Sequence, residues 1–230
     1  MKIAIDCGHT LPNQPDSSAV GIRVESDCTR EIGKLVIQKL QQLGHTVINV
    51  TVDYANSQNE SLAARVNKAN ANNVDLYCSI HLNCGVPSAH GLETLIHARG
   101  GHAEEIANKV QAELCKLGYA NRGVRVAKEY LGYNLYVLKN TNAPAILVEC
   151  GFCSSEIDMK IYNSENIANA IVKGITGQEV KKPEPPSQPK ENNTFYRVVA
   201  GSYQDKENAQ KVCDELKAKG YDAFLVAFDK

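Results

Sequence analysis

Two histidines and two glutamates stand where this chain is able to do chemistry. His9 closes the run Ile3-Ala4-Ile5-Asp6-Cys7-Gly8-His9, His81 closes Leu76-Tyr77-Cys78-Ser79-Ile80-His81, and Glu149 closes Ala145-Ile146-Leu147-Val148-Glu149. Each run reads as a short buried strand with a ligand or a base at its end. Open α/β sheets bind ligands outside the carboxyl ends of their strands. A catalytic zinc site keeps three protein ligands and leaves one position for water. The third donor must come from the same sheet edge. Glu25 is the best candidate, because it opens the first long helix and that helix has to start near the end of the first strand. Glu149 then suits a general base for a metal-activated water. It follows four apolar residues, and burial there raises a carboxyl pKa toward the working range of a base. Taken singly, each residue has an ordinary reading as well. A histidine at a strand end is commonly a hydrogen-bonded surface residue, Glu25 suits a first-turn acid favoured by the helix dipole, and Glu149 suits half of an ion pair.

The elements that must position these groups alternate. Glu25 to Leu43 is expected to be helical, with Ile32, Leu35, Val36, Leu40 and Leu43 on one face and Gly44 as its stop. A β-branched strand follows over Thr46 to Val52, then a helix over Leu62 to Asn70 and the strand ending at His81. Gly91 to His97 reads as a strand, Ala103 to Leu117 as a helix, and Ile157 to Ile175 as a closing helix after the strand ending at Glu149. This order predicts an α/β sandwich with a mostly parallel sheet flanked by helices. Four of the eight prolines fall between Gln178 and Asn193, among polar residues that cannot bury apolar surface. The expected organisation is a catalytic domain over residues 1–176, a linker over 177–193 and a small module over 194–230. That last piece reads as one βαβ unit, with strands at Phe195 to Gly201 and Tyr221 to Phe228 around a helix from Asp205 to Lys219. Chains below ~40 residues rarely fold alone, so pairing with a second copy, giving a homodimer, is expected.

A net charge of −1 gives no bulk electrostatic case for nucleic acid or an anionic membrane. No apolar stretch is long enough to span a bilayer. The chain begins directly on strand-like residues, without the basic region, apolar core and cleavage site of a signal peptide. Cytoplasmic synthesis is therefore expected, with most of the eight cysteines reduced.

The motifs gain meaning together. Ile3 to His9, Glu25, Arg65 and Asn70, Ser79-Ile80-His81-Leu82-Asn83 and Val148-Glu149-Cys150-Gly151-Phe152 occur in that order. The set resembles the zinc-dependent N-acetylmuramoyl-L-alanine amidases of the Amidase_3 family over roughly residues 1 to 176. The resemblance implies a six-stranded sheet and cleavage of the amide between the lactyl group of N-acetylmuramic acid and L-alanine in peptidoglycan. It implies Zn2+ held by His9, Glu25 and His81, with Glu149 as the catalytic glutamate. The tail, with Tyr196 to Tyr203, Asn208-Ala209 and Leu216 to Tyr221, looks like half of a SPOR repeat, a type that binds peptidoglycan glycan strands.

Asn83, His97 and His102 are candidates for touching substrate, and Arg65 for a site neighbour. Cys150-x-x-Cys153 has redox spacing, but it lacks a thioredoxin-like setting, and packing is the favoured reading. An enzyme made inside a cell and acting on its wall needs release, by a holin or by lysis. A phage or prophage endolysin fits and is favoured by the compact enzyme-linker-binder plan, with a spore mother-cell autolysin as the alternative. A zinc peptidase acting on another amide and a non-catalytic wall-binding protein remain as alternatives.

Overall fold

The computed structural model describes residues 1–86, 88–180 and 198–227. They fall into two compact units, Met1–Lys182 and Pro183–Lys230. The first unit is built on a six-stranded sheet of β1 (Lys2–Cys7), β2 (Thr46–Asn49), β3 (Leu76–Asn83), β4 (Leu92–Ile96), β5 (Asn121–Val126) and β6 (Ala145–Phe152). Their order is β2-β1-β3-β6-β4-β5, and every neighbouring pair is parallel except β4 with β6. The expected α/β architecture is thus present.

Alternation along each strand feeds two cores. Ile3, Ile5, Cys78, Ile80, Ile146 and Val148 face α1 (Glu25–Gln42), α3 (His102–Cys115) and α7 (Ser164–Thr176). Ala4, Tyr77, Leu95 and Leu147 face α2 (Gln58–Ala71), α4 (Ala127–Leu131) and α5 (Tyr136–Asn140). Each large apolar side chain fully buried this way contributes about 1.5–3 kcal/mol. α1 carries the chain from β1 to its outer neighbour β2, and α2 returns it to β3 on the other side of β1. The winding therefore reverses between β1 and β3. Their carboxyl ends form the switch point at which such sheets bind ligands.

The closing helix differs from its expected single span. It is broken into α6 (Glu156–Ile161) and α7, because Asn163 leaves helical geometry and its side chain accepts from the Asn166 N–H at 2.9 Å. Strand β5 and the short helices α4 and α5 have no counterpart in the expected order.

In the second unit the helix α8 (Lys206–Ala218) forms, with Asp205 accepting from the Asn208 N–H at 2.9 Å. Its least exposed residues are Ala209, Val212, Cys213 and Leu216, the expected inward face. Of the two expected flanking strands, the described parts, residues 198–201 and 221–227, take no strand pairing among the described residues. The remainder of those spans, 195–197 and Phe228, lies outside the described residues, as does most of the expected linker. Val198 is 94% exposed and Phe224 71%. One short helix cannot cover two strands, and a unit this small lacks the area to hold them.

Candidate metal centre

His9 sits just beyond β1 with φ of 61°, a left-handed conformation that non-glycine residues adopt rarely. Its carbonyl is clamped by two guanidiniums, accepting from Arg65 Nη2 at 2.7 Å and Arg30 Nη2 at 2.9 Å. Arg65 is itself fully buried, paired with Asp6 and donating to the Cys7 carbonyl at 2.8 Å. Asp6 also accepts from Tyr77 and Ser79 hydroxyls, each at 2.7 Å. This satisfied polar network locks the loop that aims His9. Gly8 is required for a different reason: a Cβ there would lie 2.1 Å from the His81 ring.

His81 comes from the end of β3 and Glu25 from the first residue of α1. Glu25 Oε1 lies 3.1 Å from His81 Nδ1 and 3.3 Å from His9 Nε2, and the two rings stand edge to face at 4.9 Å. The three side chains offer ligand atoms all within 4.8 Å of one another. Glu25 is anchored by accepting from the backbone N–H of Ala19 at 3.1 Å and of Leu82 at 3.2 Å. Burial would raise its pKa, but the His81 and His9 nitrogens hold it well below the usual carboxylate range. Burial would likewise lower the His9 pKa, yet Asp16 and Glu25 push it up to about 10. Asp16 Oδ1 stands 3.6 Å behind His9 Nδ1, in ion-pair range but beyond a hydrogen bond. A carboxylate in this position orients a ligating imidazole.

Glu149 is cross-strand partner to His81. Its Oε2 is buried without a hydrogen-bond partner among the described residues. Burial pushes its pKa well up, and the negative charges of Glu25 and Glu93 push the same way. The fold therefore brings all four expected residues to one edge. It treats the weaker candidates differently. Asn83 lies at this edge and donates to Glu93 Oε1 at 3.0 Å. His97 and His102 do not: β4 runs antiparallel to β6, so its carboxyl end, at Ile96 opposite Ile146, lies at the other edge of the sheet. Arg65 supports the His9 loop from within. All eight cysteines carry free thiols, and Cys150 and Cys153 are buried.

Asp16 and Glu93 were not among the expected site residues. Asp16 lies in a loop with no periodicity. Glu93 interrupts the apolar run Leu92-Glu93-Thr94-Leu95-Ile96, a signal of the same kind that marked Glu149.

An α/β sheet with a His-Glu-His cluster at its switch point, compatible with metal binding, and a half-buried carboxyl beside it whose Oε2 has no partner among the described residues is an arrangement of the kind found in metal-assisted hydrolases. Comparison with known proteins narrows this class. The Amidase_3 family, N-acetylmuramoyl-L-alanine amidase, matches residues 3–177, and a SPOR domain matches residues 157–227. The chain belongs to the N-acetylmuramoyl-L-alanine amidase family, and residues 3–177 are its amidase domain. It is 36% identical over 194 residues to the uncharacterized protein CPE1502 of Clostridium perfringens, covering 80% of this chain and 55% of that protein. The germination-specific N-acetylmuramoyl-L-alanine amidase of Bacillus subtilis is 30% identical over 202 residues, covering 80% of this chain and 82% of that protein. The structure of the catalytic domain of CD27L endolysin targeting Clostridia Difficile superposes with a TM-score of 0.70 at 25% identity, covering 78% of this chain and 99% of that one. The SPOR match begins inside α6 and runs through α7, whose Ile167, Ala168 and Ile171 are core residues of the first unit.

Proposed function

We propose that this protein hydrolyses the amide between the lactyl group of N-acetylmuramic acid and L-alanine in peptidoglycan, with Zn2+ held by His9, Glu25 and His81. The observation that carries the reading is the convergence of those donors within 4.8 Å beside Glu149, whose Oε2 is buried with no partner among the described residues. Two imidazoles and one carboxylate, with a further carboxylate behind one imidazole, are a donor set suited to zinc. A cation in that position lowers the pKa of a bound water and polarises the scissile carbonyl. Glu149 takes the water proton and delivers it to the leaving alanine nitrogen, a role its raised pKa suits. The Asp6–Arg65 network keeps His9 from drifting while this happens.

Residues 1–176 act as the catalytic domain, 177–193 as a linker and 194–230 as a half SPOR-like module that adds affinity for the wall. Its apolar residues Val198, Val199, Phe224 and Val226 are exposed, which supports its joining the same half of a second chain. Likeness to an endolysin catalytic domain supports a lysin released onto the wall from within the cell. The second reading, an autolysin acting in spore development, is supported by likeness to a germination-specific amidase.

The test is clearance of purified walls by wild type and Glu149→Ala, each with and without chelator. Lysis by wild type alone, abolished by chelator and restored by zinc, is expected. Equal clearance by both proteins removes Glu149 from the mechanism, and wall binding without lysis by either returns the protein to a non-catalytic role.

A further inference from the structure

Cross-strand pairing draws a line across one face of the sheet, from His81 on β3 to Glu149 on β6, Glu93 on β4 and Gly123 on β5. The first two belong to the reaction. Glu93 does not: it is 2% exposed and its carboxylate is occupied by Asn83 Nδ2 at 3.0 Å, Arg122 Nε at 3.0 Å and Arg125 Nε at 3.2 Å. Two guanidiniums thus share one carboxylate, leaving a unit of positive charge in excess on the β5 side of Glu93.

The strand is distorted to bring both arginines there. In a regular strand, side chains three apart face opposite sides. Here Leu92 pairs with Asn121 while Glu93 pairs with Gly123, so Arg122 is an inserted residue. Gly123 absorbs the insertion with φ of 87°. Such bulges re-aim side chains and concentrate near active sites. Arg122 lies over the Phe152 ring at 5.1 Å and donates to the Tyr130 hydroxyl at 2.9 Å, and Arg125 lies over the Tyr130 ring at 4.3 Å. Each guanidinium is oriented by a ring and the buried carboxylate, yet the side chains stay 29% and 37% exposed. Arg122 Nη1 and both Arg125 Nη atoms have no hydrogen-bond partner among the described residues.

We propose that Arg122 and Arg125, held on Glu93, form a subsite for a carboxylate of the stem peptide on the leaving-group side of the scissile amide. The proposal rests on the amidase reading above. Guanidinium donors in fixed orientation match carboxylates. Strands lie about 4.8 Å apart, so a group reaching from β5 back toward β4 stands roughly 5–10 Å from Glu149. In the stem peptide, L-alanine is followed by D-glutamate linked through its side chain, which leaves its α-carboxylate free. Two residues of extended chain span about 7 Å, which brings that carboxylate to the arginines.

The experiment compares two synthetic muramoyl dipeptides, one ending in D-isoglutamate and one in its amidated form, D-isoglutamine. Substrates are tested with the zinc-loaded full chain as wild type, Arg125→Met and Arg125→Lys. Wild type is expected to favour the carboxylate substrate about 10-fold in kcat/KM, mainly through KM. Arg125→Met is expected to lose about 10-fold on that substrate and to stay within about 2-fold of wild type on the amidated one. Arg125→Lys, which keeps the charge, is expected to recover part of the loss. A structural role for Arg125 would depress both substrates alike, and that result overturns the subsite, as does equal cleavage of both by wild type. If wild type cleaves neither, the amidase reading falls and the subsite with it.

Discussion

Replacing Glu149 by glutamine is expected to abolish activity and at the same time stabilise the metal-free fold at neutral pH. The side chain is half-buried, its Oε2 is covered with no hydrogen-bond partner among the described residues, and Glu25 and Glu93 add negative charge nearby. Its pKa in the folded state therefore lies well above the ordinary 4.5. The sign of the linkage follows. Below that ordinary value both states hold the proton and the group is neutral in its effect. Above it the unfolded chain gives up the proton while the folded chain retains it, so stability falls as pH rises toward the folded value. Glutamine is uncharged throughout and escapes this loss. It is itself an unpartnered polar group there, so it relieves only the charge-linked cost, which between the ordinary pKa of 4.5 and pH 7.5 is at most about 4 kcal/mol. At roughly 2–4 °C per kcal/mol for a domain of this size, Glu149→Gln should melt above wild type at pH 7.5 in chelator, by up to about 16 °C, and within about 2 °C of it at pH 4. Loss of a general base lowers the rate by about 10²–10⁴-fold. Thermal unfolding at the two pH values and wall clearance provide the measurements. A lower melting temperature at pH 7.5, or a difference that does not change with pH, would refute the raised pKa of Glu149 and the unpartnered state of its Oε2.

Other expectations follow from the supports of the site. Gly8→Ala places a methyl where the His81 ring stands, so zinc stoichiometry by elemental analysis should fall well below one per chain while the circular dichroism of the sheet is kept. Arg65→Ala leaves Asp6 buried without its cation, which should cost about 3–5 kcal/mol in denaturant unfolding, far more than a surface arginine. The full chain should show a dimer mass by light scattering at high concentration, and Phe224→Asp should return it to a monomer without changing hydrolysis of soluble muramoyl peptides.

The strands that build the site were legible because burial on both faces leaves a continuous apolar run, and an ionisable residue at its end stands out. Glu25 was legible by connection: a helix following β1 has to begin where β1 ends. Less visible was the direction of β4. A buried strand of five residues carries no mark of being antiparallel, so His97 read as a neighbour of the site although its strand ends at the opposite edge. Strand β5 was missed because Asn121-Arg122-Gly123-Val124-Arg125-Val126 is polar and contains glycine, as an edge strand distorted by an inserted residue would be. Glu93 shares the signal of Glu149, a carboxylate inside an apolar run, but only the sheet order shows that the two are cross-strand partners. In the C-terminal unit, β-branched and aromatic residues spoke for strands, yet strands need partners, and the described residues 198–227 supply none.

The central claim is that His9, Glu25 and His81 hold one zinc ion and that Glu149 acts beside it to cut the muramoyl–alanine amide. It is tested most directly by stripping the full chain with chelator, adding zinc stepwise, and identifying the new amino termini released from purified walls. Free L-alanine amino termini that increase until one zinc per chain is bound, with no new reducing sugars, are predicted for wild type and absent for Glu149→Gln. New D-amino acid termini, new reducing ends, or release that ignores zinc would contradict the account.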